Sequence, residues 1–424
     1  MDLDRYASRF AESEQRFRCS TERHGLRFED EESSPRIERA LIAASCGCAC
    51  ENGGSSVWRN WISPACLACR TGERTGSLFV DLRCTRNCYF CFNANQPHAG
   101  EFSRHSRDIV LELRQAHAAG ARYDCLAVTG GEPLLHLDDV VAFIAEARRL
   151  YPGVHTRVYT NGDLADEDAL RRLADAGLDE IRFSVKPPDD EDTREEAVAA
   201  IVRAVPYIPD VMVEMPVIPG TQEWMMTLLR SFDALGVRGV NLLEFCFPLH
   251  NAEEYTRRGF QLRKRPWNYL YDYWYTGGIP VAQSERDALE IMRRASSEGL
   301  SIGLHYCSAD NRNSAQVHRQ NAAFVADGLD DVYPWMEQGE DGFLRCLKVF
   351  GDDVTSVMAW ARRRGIAHHA NNEVPSLALP RMVLEELRVA FPHVQVGESV
   401  NILEELPDGD GDYCMRELDV RTLS

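Results

Sequence analysis

The chain has 424 residues, 44% of them hydrophobic, and a formal net charge of −19. That length supports one large core with smaller attachments, and no run of about 18 apolar residues suggests a membrane span. The acidic balance opposes non-specific attraction to nucleic-acid phosphates or anionic membranes, so neither is expected as a partner. Met1 to Gln15 is charged and lacks the apolar centre of a signal peptide, which points to the cytoplasm.

Residues 1–75 show no strong periodicity and are read as a Cys-rich, metal-binding N-terminal extension. There are 14 cysteines, and eight of them crowd between Cys46 and Cys91. A reducing compartment disfavours disulfides, so the crowding points to metal. Cys66 and Cys69 have a recurring metal-knuckle spacing, and Cys48 and Cys50 are chosen to complete four thiolates, with Cys46 as a substitute. Zinc would close the site structurally; a second 4Fe-4S cluster is the alternative.

From residue 76 to about 250, β-branched apolar runs alternate with amphipathic stretches. Strands are expected at Ser77–Leu82, Cys125–Thr129, Thr156–Thr160, Ile181–Val185, Val211–Val217 and Val240–Phe245. Helices are expected at Arg107–Ala119, Leu137–Leu150, Glu167–Ala176, Thr193–Val205 and Glu223–Leu235. The α/β alternation argues for parallel strands joined by right-handed crossovers. Six such units suit a partial, TIM-like (β/α)6 barrel, with an open doubly wound sheet as the alternative.

Residues 251–330 read as a mostly helical barrel extension with a strand at Ser301–His305. Their basic stretch, Arg257, Arg258, Arg263, Lys264 and Arg265, is read as a solvated face or loop. Residues 331–424 read as a small α+β domain suited to docking a substrate or partner. Its strands fall at Phe343–Val349 and Val394–Glu404, its helices at Val354–Arg364 and Pro380–Phe391. Gly409 and Gly411 suit a hairpin turn before Tyr413–Leu418.

The strongest chemical signal is Cys84-Thr-Arg-Asn-Cys88-Tyr-Phe-Cys91, directly after the first strand. Three thiolates on a 4Fe-4S cube leave one iron open to a chelating substrate. Barrel chemistry gathers at the C-terminal strand ends, where this loop lies. A zinc knuckle with a distant fourth ligand is the bland alternative. Thr129-Gly130-Gly131-Glu132-Pro133 follows the second strand; paired glycines admit a ligand close to the backbone, and the Glu132 carboxylate suits an ammonium group. Phe90 is placed to pack on a purine.

Together these residues resemble the radical S-adenosylmethionine (SAM) superfamily, with its C-x3-C-x2-C spacing and an aromatic before the last cysteine. The segments Glu214–Gly220, Val240–Glu244 and Leu304–Ser308 are similar to radical SAM proteins related to pyruvate formate-lyase activating enzyme. The resemblance implies a 4Fe-4S cluster on Cys84, Cys88 and Cys91, with SAM chelating the open iron. It also implies an electron donor such as flavodoxin or ferredoxin, and a 5′-deoxyadenosyl radical that takes hydrogen from substrate. Asn161, Ser184 and Lys186 resemble contacts to the SAM ribose and carboxylate. Glu214, Met215 and Glu244 are expected to face the barrel interior, where a carboxylate needs a partner. His305, Tyr306 and Cys307 are substrate-side candidates for proton transfer, substrate holding and hydrogen return; Cys246 is the other hydrogen donor. The leading expectation is modification of a peptide or protein. Small-molecule rearrangement or methyl transfer is a second, and a non-catalytic iron-sulfur redox sensor or assembly protein a third.

Overall fold

The computed structural model describes residues 2–31, 36–186, 191–274, 277–406 and 413–423. By its contacts the chain falls into two compact units. One comprises Gly25–Trp267 and Tyr273–Asn313, the other Met1–His24, Asn268–Asp272 and Ser314–Ser424. The expected boundaries at residues 75, 250 and 330 therefore do not coincide with compact units. The reason lies in the partners chosen by the first elements. In the second unit, Leu3 and the half-buried Tyr6 and Phe10 of the helix Leu3–Glu22 pack with Phe350 and Val420. The strand Ser56–Arg59 instead joins the sheet of the first unit.

That sheet contains β1 (Ala49–Glu51), β2 (Ser56–Arg59), β3 (Thr75–Leu78), β4 (Cys125–Val128), β5 (His155–Thr160), β6 (Glu180–Ser184), β7 (Asp210–Val217) and β8 (Gly239–Glu244). A short antiparallel pair follows, β9 (Cys246–Phe247) with β10 (Ile279–Pro280), and then β11 (Gly303–Cys307). The spatial order is β1-β2-β11-β8-β7-β6-β5-β4-β3. β3 to β8 are parallel and run in unbroken chain order. A doubly wound sheet reverses its order at a switch point; here no reversal occurs, so the helices share one face and the strands curve as a barrel wall. β11 adds a seventh parallel strand to the six expected, and β2 pairs with it antiparallel.

Strand parity divides the wall into two faces. Val158, Ile181, Phe183, Val211, Val213, Met215, Val240, Leu242, Leu304 and Tyr306 belong to the apolar cluster under the helices. The alternate residues Glu180, Arg182, Glu214, Asn241 and His305 bond one another in the barrel interior, all of them buried. Met215 and Tyr306 were expected inside and lie on the helix side instead, because each sits one residue from an inward-facing neighbour.

The basic stretch is also corrected in part. Arg257 and Arg258 bond Glu254 at the surface. Arg263 is 1% exposed and ion-paired with Glu244 and Glu285.

The second unit is built on an antiparallel sheet of β12 (Glu337–Gln338), β13 (Leu344–Phe350), β14 (His369–Asn371), β15 (Ser376–Leu379), β16 (Val396–Glu405) and β17 (Tyr413–Leu423), in the order β14-β15-β13-β16-β17 with β12 on β13. Trp360 and Ala361 of one helix and Leu387 of another cover Leu347, Val349, Leu377 and Leu379. The Gly409–Gly411 turn lies outside the described residues. Among the described residues no helix is long and apolar enough to cross a membrane.

Candidate active site

The loops at the C-terminal ends of the strands surround a cavity of about 670 Å³. β3 ends at Leu78, earlier than expected, and the chain then runs irregularly beside the glycine loop. Gly131 N donates to the Asp81 carbonyl at 3.1 Å, and Glu132 N donates to the Arg83 carbonyl at 2.7 Å. A Cβ on Gly131 would fall 1.8 Å from the Arg83 carbonyl oxygen, and one on Gly130 2.5 Å from the Phe79 Cβ. The paired glycines thus admit the backbone of the cysteine segment itself, where a ligand's close approach was expected.

Cys84, Cys88, Phe90 and Cys91 all line the cavity, together with Gly130, Gly131, Glu132, Asn161, Ser184, Lys186 and Glu214. The cysteine loop is tied down on several sides. Asn161 Nδ2 donates to Thr85 Oγ1 at 2.8 Å and reaches Cys84 Sγ at 3.7 Å. Thr85 and Arg86 both bond Asp163. His250 Nε2 is 2.8 Å from the Cys91 carbonyl oxygen. Lys186 Nζ lies 3.0 Å from Cys88 Sγ, placing a cation beside a prospective thiolate. Phe90 packs edge-on against Tyr89 and Phe245.

Glu132 is 2% exposed, and burial pushes its carboxyl above the usual range. It accepts bonds from Leu134 N at 3.0 Å, Thr160 Oγ1 at 2.8 Å and Asn161 N at 2.8 Å. A carboxylate has about four acceptor positions, so one remains for an ammonium group. Glu214 has a structural partner that the sequence reading lacked: Arg182 donates to it at 2.6 Å, and Asn241 at 2.8 Å.

The substrate-side candidates separate. Cys246 and Glu244 line the cavity. The Cys246 thiol is 2.6 Å from Arg312, and burial pushes it up to about 11. Glu244 is spoken for by Arg263 and by Ala309 N. His305, Tyr306 and Cys307 are not among the lining residues. His305 bonds Ser56 at 3.0 Å and Asn241 at 3.1 Å, and Tyr306 lies under the helices. Parity turns Tyr306 to the helix side, and His305 faces the barrel interior, where Ser56 and Asn241 hold its ring. Arg312, with its guanidinium on Cys246 and the Glu244 carbonyl, was missed; it lies on a helix, and no local motif marks it.

Burial lowers the His305 pKa from 6.5 to about 4. The unfolded chain therefore takes up a proton as pH falls through about 6.5 while the native state does not. His305 stability is fully present above pH 6.5 and is lost as pH falls to about 4, an amount of about 3 kcal/mol. Denaturant midpoints of the native chain and of His305→Gln at pH 7 and 4.5 check this; the variant's decline should be smaller.

The four N-terminal cysteines are not gathered as expected. Cys48 is half-buried against the outer apolar cluster, and Cys46 and Cys50 are the cysteines that raise its thiol pKa beyond the effect of burial. Cys66 enters the barrel interior, where Arg182 donates to it at 3.2 Å. Among the described residues no three His, Cys, Asp or Glu side chains are set to hold a single ion. β1 and β2 turn Cys50 to the face opposite Ser56 and Glu51, which separates it from Cys66.

The geometry defines a class: a parallel β/α barrel whose first loop brings three thiols to a cavity beside a buried Gly-Gly-Glu turn. Residues 82–232 match the Radical SAM superfamily model. A protein of Methanocaldococcus jannaschii, assigned by inference as a glycyl-radical enzyme activating enzyme, is 24% identical over 295 residues, covering 68% of this chain and 74% of its own. Among solved structures, SuiB of Streptococcus suis bound to precursor peptide SuiA aligns with TM-score 0.42 and 12% identity, over 73% of this chain and 62% of its own. The anSMEcpe structure with bound AdoMet and a peptide aligns with TM-score 0.34 and 18% identity, over 41% of this chain and 52% of its own. The alignment thus spans about half of that solved chain. The matched segment and this relative indicate a radical SAM enzyme.

Proposed function

We propose that the chain cleaves SAM reductively at a 4Fe-4S cluster held by Cys84, Cys88 and Cys91, and takes a hydrogen atom from a peptide or protein. The observation that carries this reading is the shared cavity wall of the three thiols, Gly130, Gly131, Glu132, Asn161, Ser184 and Lys186. The donor set fits a cubane with one open iron. When bound and reduced, that cluster supplies a 5′-deoxyadenosyl radical from SAM. The chain's own residues position and protect. Glu132 offers its remaining acceptor position to the methionine ammonium group. Lys186 would balance the thiolate and carboxylate charge, and Asn161 and Ser184, on the same cavity wall, would contact the ribose. Phe90 and Phe245 give the adenine an apolar wall that excludes water. Cys246 stands in the cavity as a thiol, able to return a hydrogen atom. A protein substrate is favoured by the relative's inferred role as an activating enzyme, and the acidic chain suits a basic partner. A small electron carrier such as flavodoxin or ferredoxin supplies the electron.

The test is anaerobic reconstitution with iron, sulfide, SAM and a reductant, followed by assay of 5′-deoxyadenosine. The native chain should form it, and Cys88→Ala should reduce it to background. A fully iron-loaded native protein that forms none would make the chain a sensor or assembly protein.

A further inference from the structure

Arg182, Arg263 and Arg39 are buried in the first unit, and each meets a glutamate. Arg182 is 2.6 Å from Glu214, and Arg263 and Arg39 share Glu285. Arg312 differs. It lines the cavity from the first turn of the helix Ala309–Asn321. Its Nη2 donates to the Cys246 sulfur at 2.6 Å and to the Glu244 carbonyl oxygen at 3.1 Å. The Glu244 carboxylate itself turns to Arg263 and to Ala309 N. Among the described residues no carboxylate lies within ion-pair distance of Arg312, and its buried Nε has no hydrogen-bond partner. A half-buried guanidinium without a counter-charge is costly, and an anion brought by a ligand would relieve that cost.

The cation is fixed in place by the chain itself. Glu244 holds Ala309 N at 2.7 Å, which anchors the helix turn, and the Phe92 ring lies 5.7 Å from the guanidinium carbon. On the same wall the Cys246 thiol donates to the Glu244 carbonyl at 3.5 Å. Of the other cations that line the cavity, Arg86 is paired with Asp163 and Lys186 stands beside Cys88. We infer that Arg312 receives a carboxylate of the substrate, presented by a peptide as its C-terminus or as an aspartate or glutamate side chain. The inference rests on the reading that this cavity takes the substrate. One guanidinium against an aromatic ring matches a single carboxylate, whereas a phosphoryl group brings more charge and more acceptor oxygens than Arg312 alone balances. The contact sets the carboxylate beside the Cys246 thiol. Arg312 is then a specificity-determining residue, on the opposite task from Glu132, which is left to take an ammonium group.

The test measures peptide binding to the anaerobically reconstituted full chain by titration calorimetry. The probes are acetyl-Gly-Gly-Gly with a free carboxylate, the same peptide as its C-terminal amide, and acetyl-Gly-Asp-Gly as its amide. At least one carboxylate peptide should bind about 10-fold more tightly than the uncharged amide. Which of the two does so identifies the terminus or the side chain as the source. The preference should persist with saturating SAM. Arg312→Gln should erase it, and Arg312→Lys, which keeps the charge, should retain part of it. The native comparison needs no variant, and the lysine variant serves if the glutamine variant does not fold. Equal binding of all three peptides, binding by none, loss of the preference on adding SAM, or its survival in Arg312→Gln would each overturn the inference; the third result would give Arg312 to the carboxylate of SAM. 5′-Deoxyadenosine is assayed on the same preparation. Its absence with the preference intact counts against SAM cleavage alone, and its presence without the preference counts against the carboxylate site alone.

Discussion

Replacing Gly131 with alanine should abolish SAM cleavage without unfolding the chain. The added Cβ would lie 1.8 Å from the Arg83 carbonyl oxygen and 2.5 Å from the Arg83 carbonyl carbon. Both are backbone atoms, so no side chain can swing away. The cysteine segment must shift, and Glu132 N loses its 2.7 Å bond to Arg83. Displacing a reacting group by about 1 Å costs about 100-fold. The expected result is a fall of at least that order in 5′-deoxyadenosine yield, with loss of the SAM-induced change in the electron paramagnetic resonance spectrum of the reduced cluster. Gly100→Ala is the control, since its Cβ would meet only the flexible end of Arg104 at 3.9 Å. Equal activity in the two variants would show that the loops do not depend on their close approach.

Arg182→Met should be the most destabilising substitution in the barrel interior. Arg182 is 2% exposed and bridges Glu180 and Glu214, and it donates to Cys66. Glu180 is fully buried, and its carboxyl is held far below the usual range despite burial, with Arg182 the largest opposing influence. Removing the cation leaves two buried carboxylates with weakened compensation. Breaking a buried pair costs about 3–5 kcal/mol. For a unit of this size the thermal midpoint should fall by about 5–10 °C, read by differential scanning calorimetry of the metal-free chain. A fall under about 2 °C would mean that His155 and Ser63 suffice for Glu180. Glu214→Gln together with Arg182→Met should recover part of the loss, because one uncompensated charge is then gone.

The cysteine loop was legible because its three thiols are local. Cys84, Cys88 and Cys91 come from one loop, and their spacing, read with Phe90 and the Gly130-Gly131-Glu132 turn, carries the resemblance. The six strands expected between Ser77 and Phe245 were legible for a related reason: short apolar, β-branched runs persist whatever they pack against. Pattern could not distinguish barrel from doubly wound sheet, since that choice is a matter of spatial order. Nor did it show that β11 joins the sheet, because parallel pairing between Gly303–Cys307 and β8 is long-range.

Residue roles were misread wherever parity or a distant partner decided them. Met215 and Tyr306 carry side chains suited to a substrate pocket, yet they pack in the apolar cluster under the helices. Glu214 reads as a spare carboxylate until Arg182 is found beside it. Cys66 and Cys69 invite pairing with Cys48 and Cys50, their neighbours in sequence. The backbone instead turns Cys50 outward and carries Cys66 inward, toward Arg182 and the strand that bears Cys307.

By itself, then, the sequence determined the chemistry of the cysteine loop, the acidic character of the chain and the periodicities of its strands and helices, all properties of residues near one another in the chain. The tertiary structure alone decided which face of each strand looks inward and which buried charges meet. The physical reason is that burial and hydrogen bonding act between surfaces brought together by folding, and their partners carry no signature in local spacing.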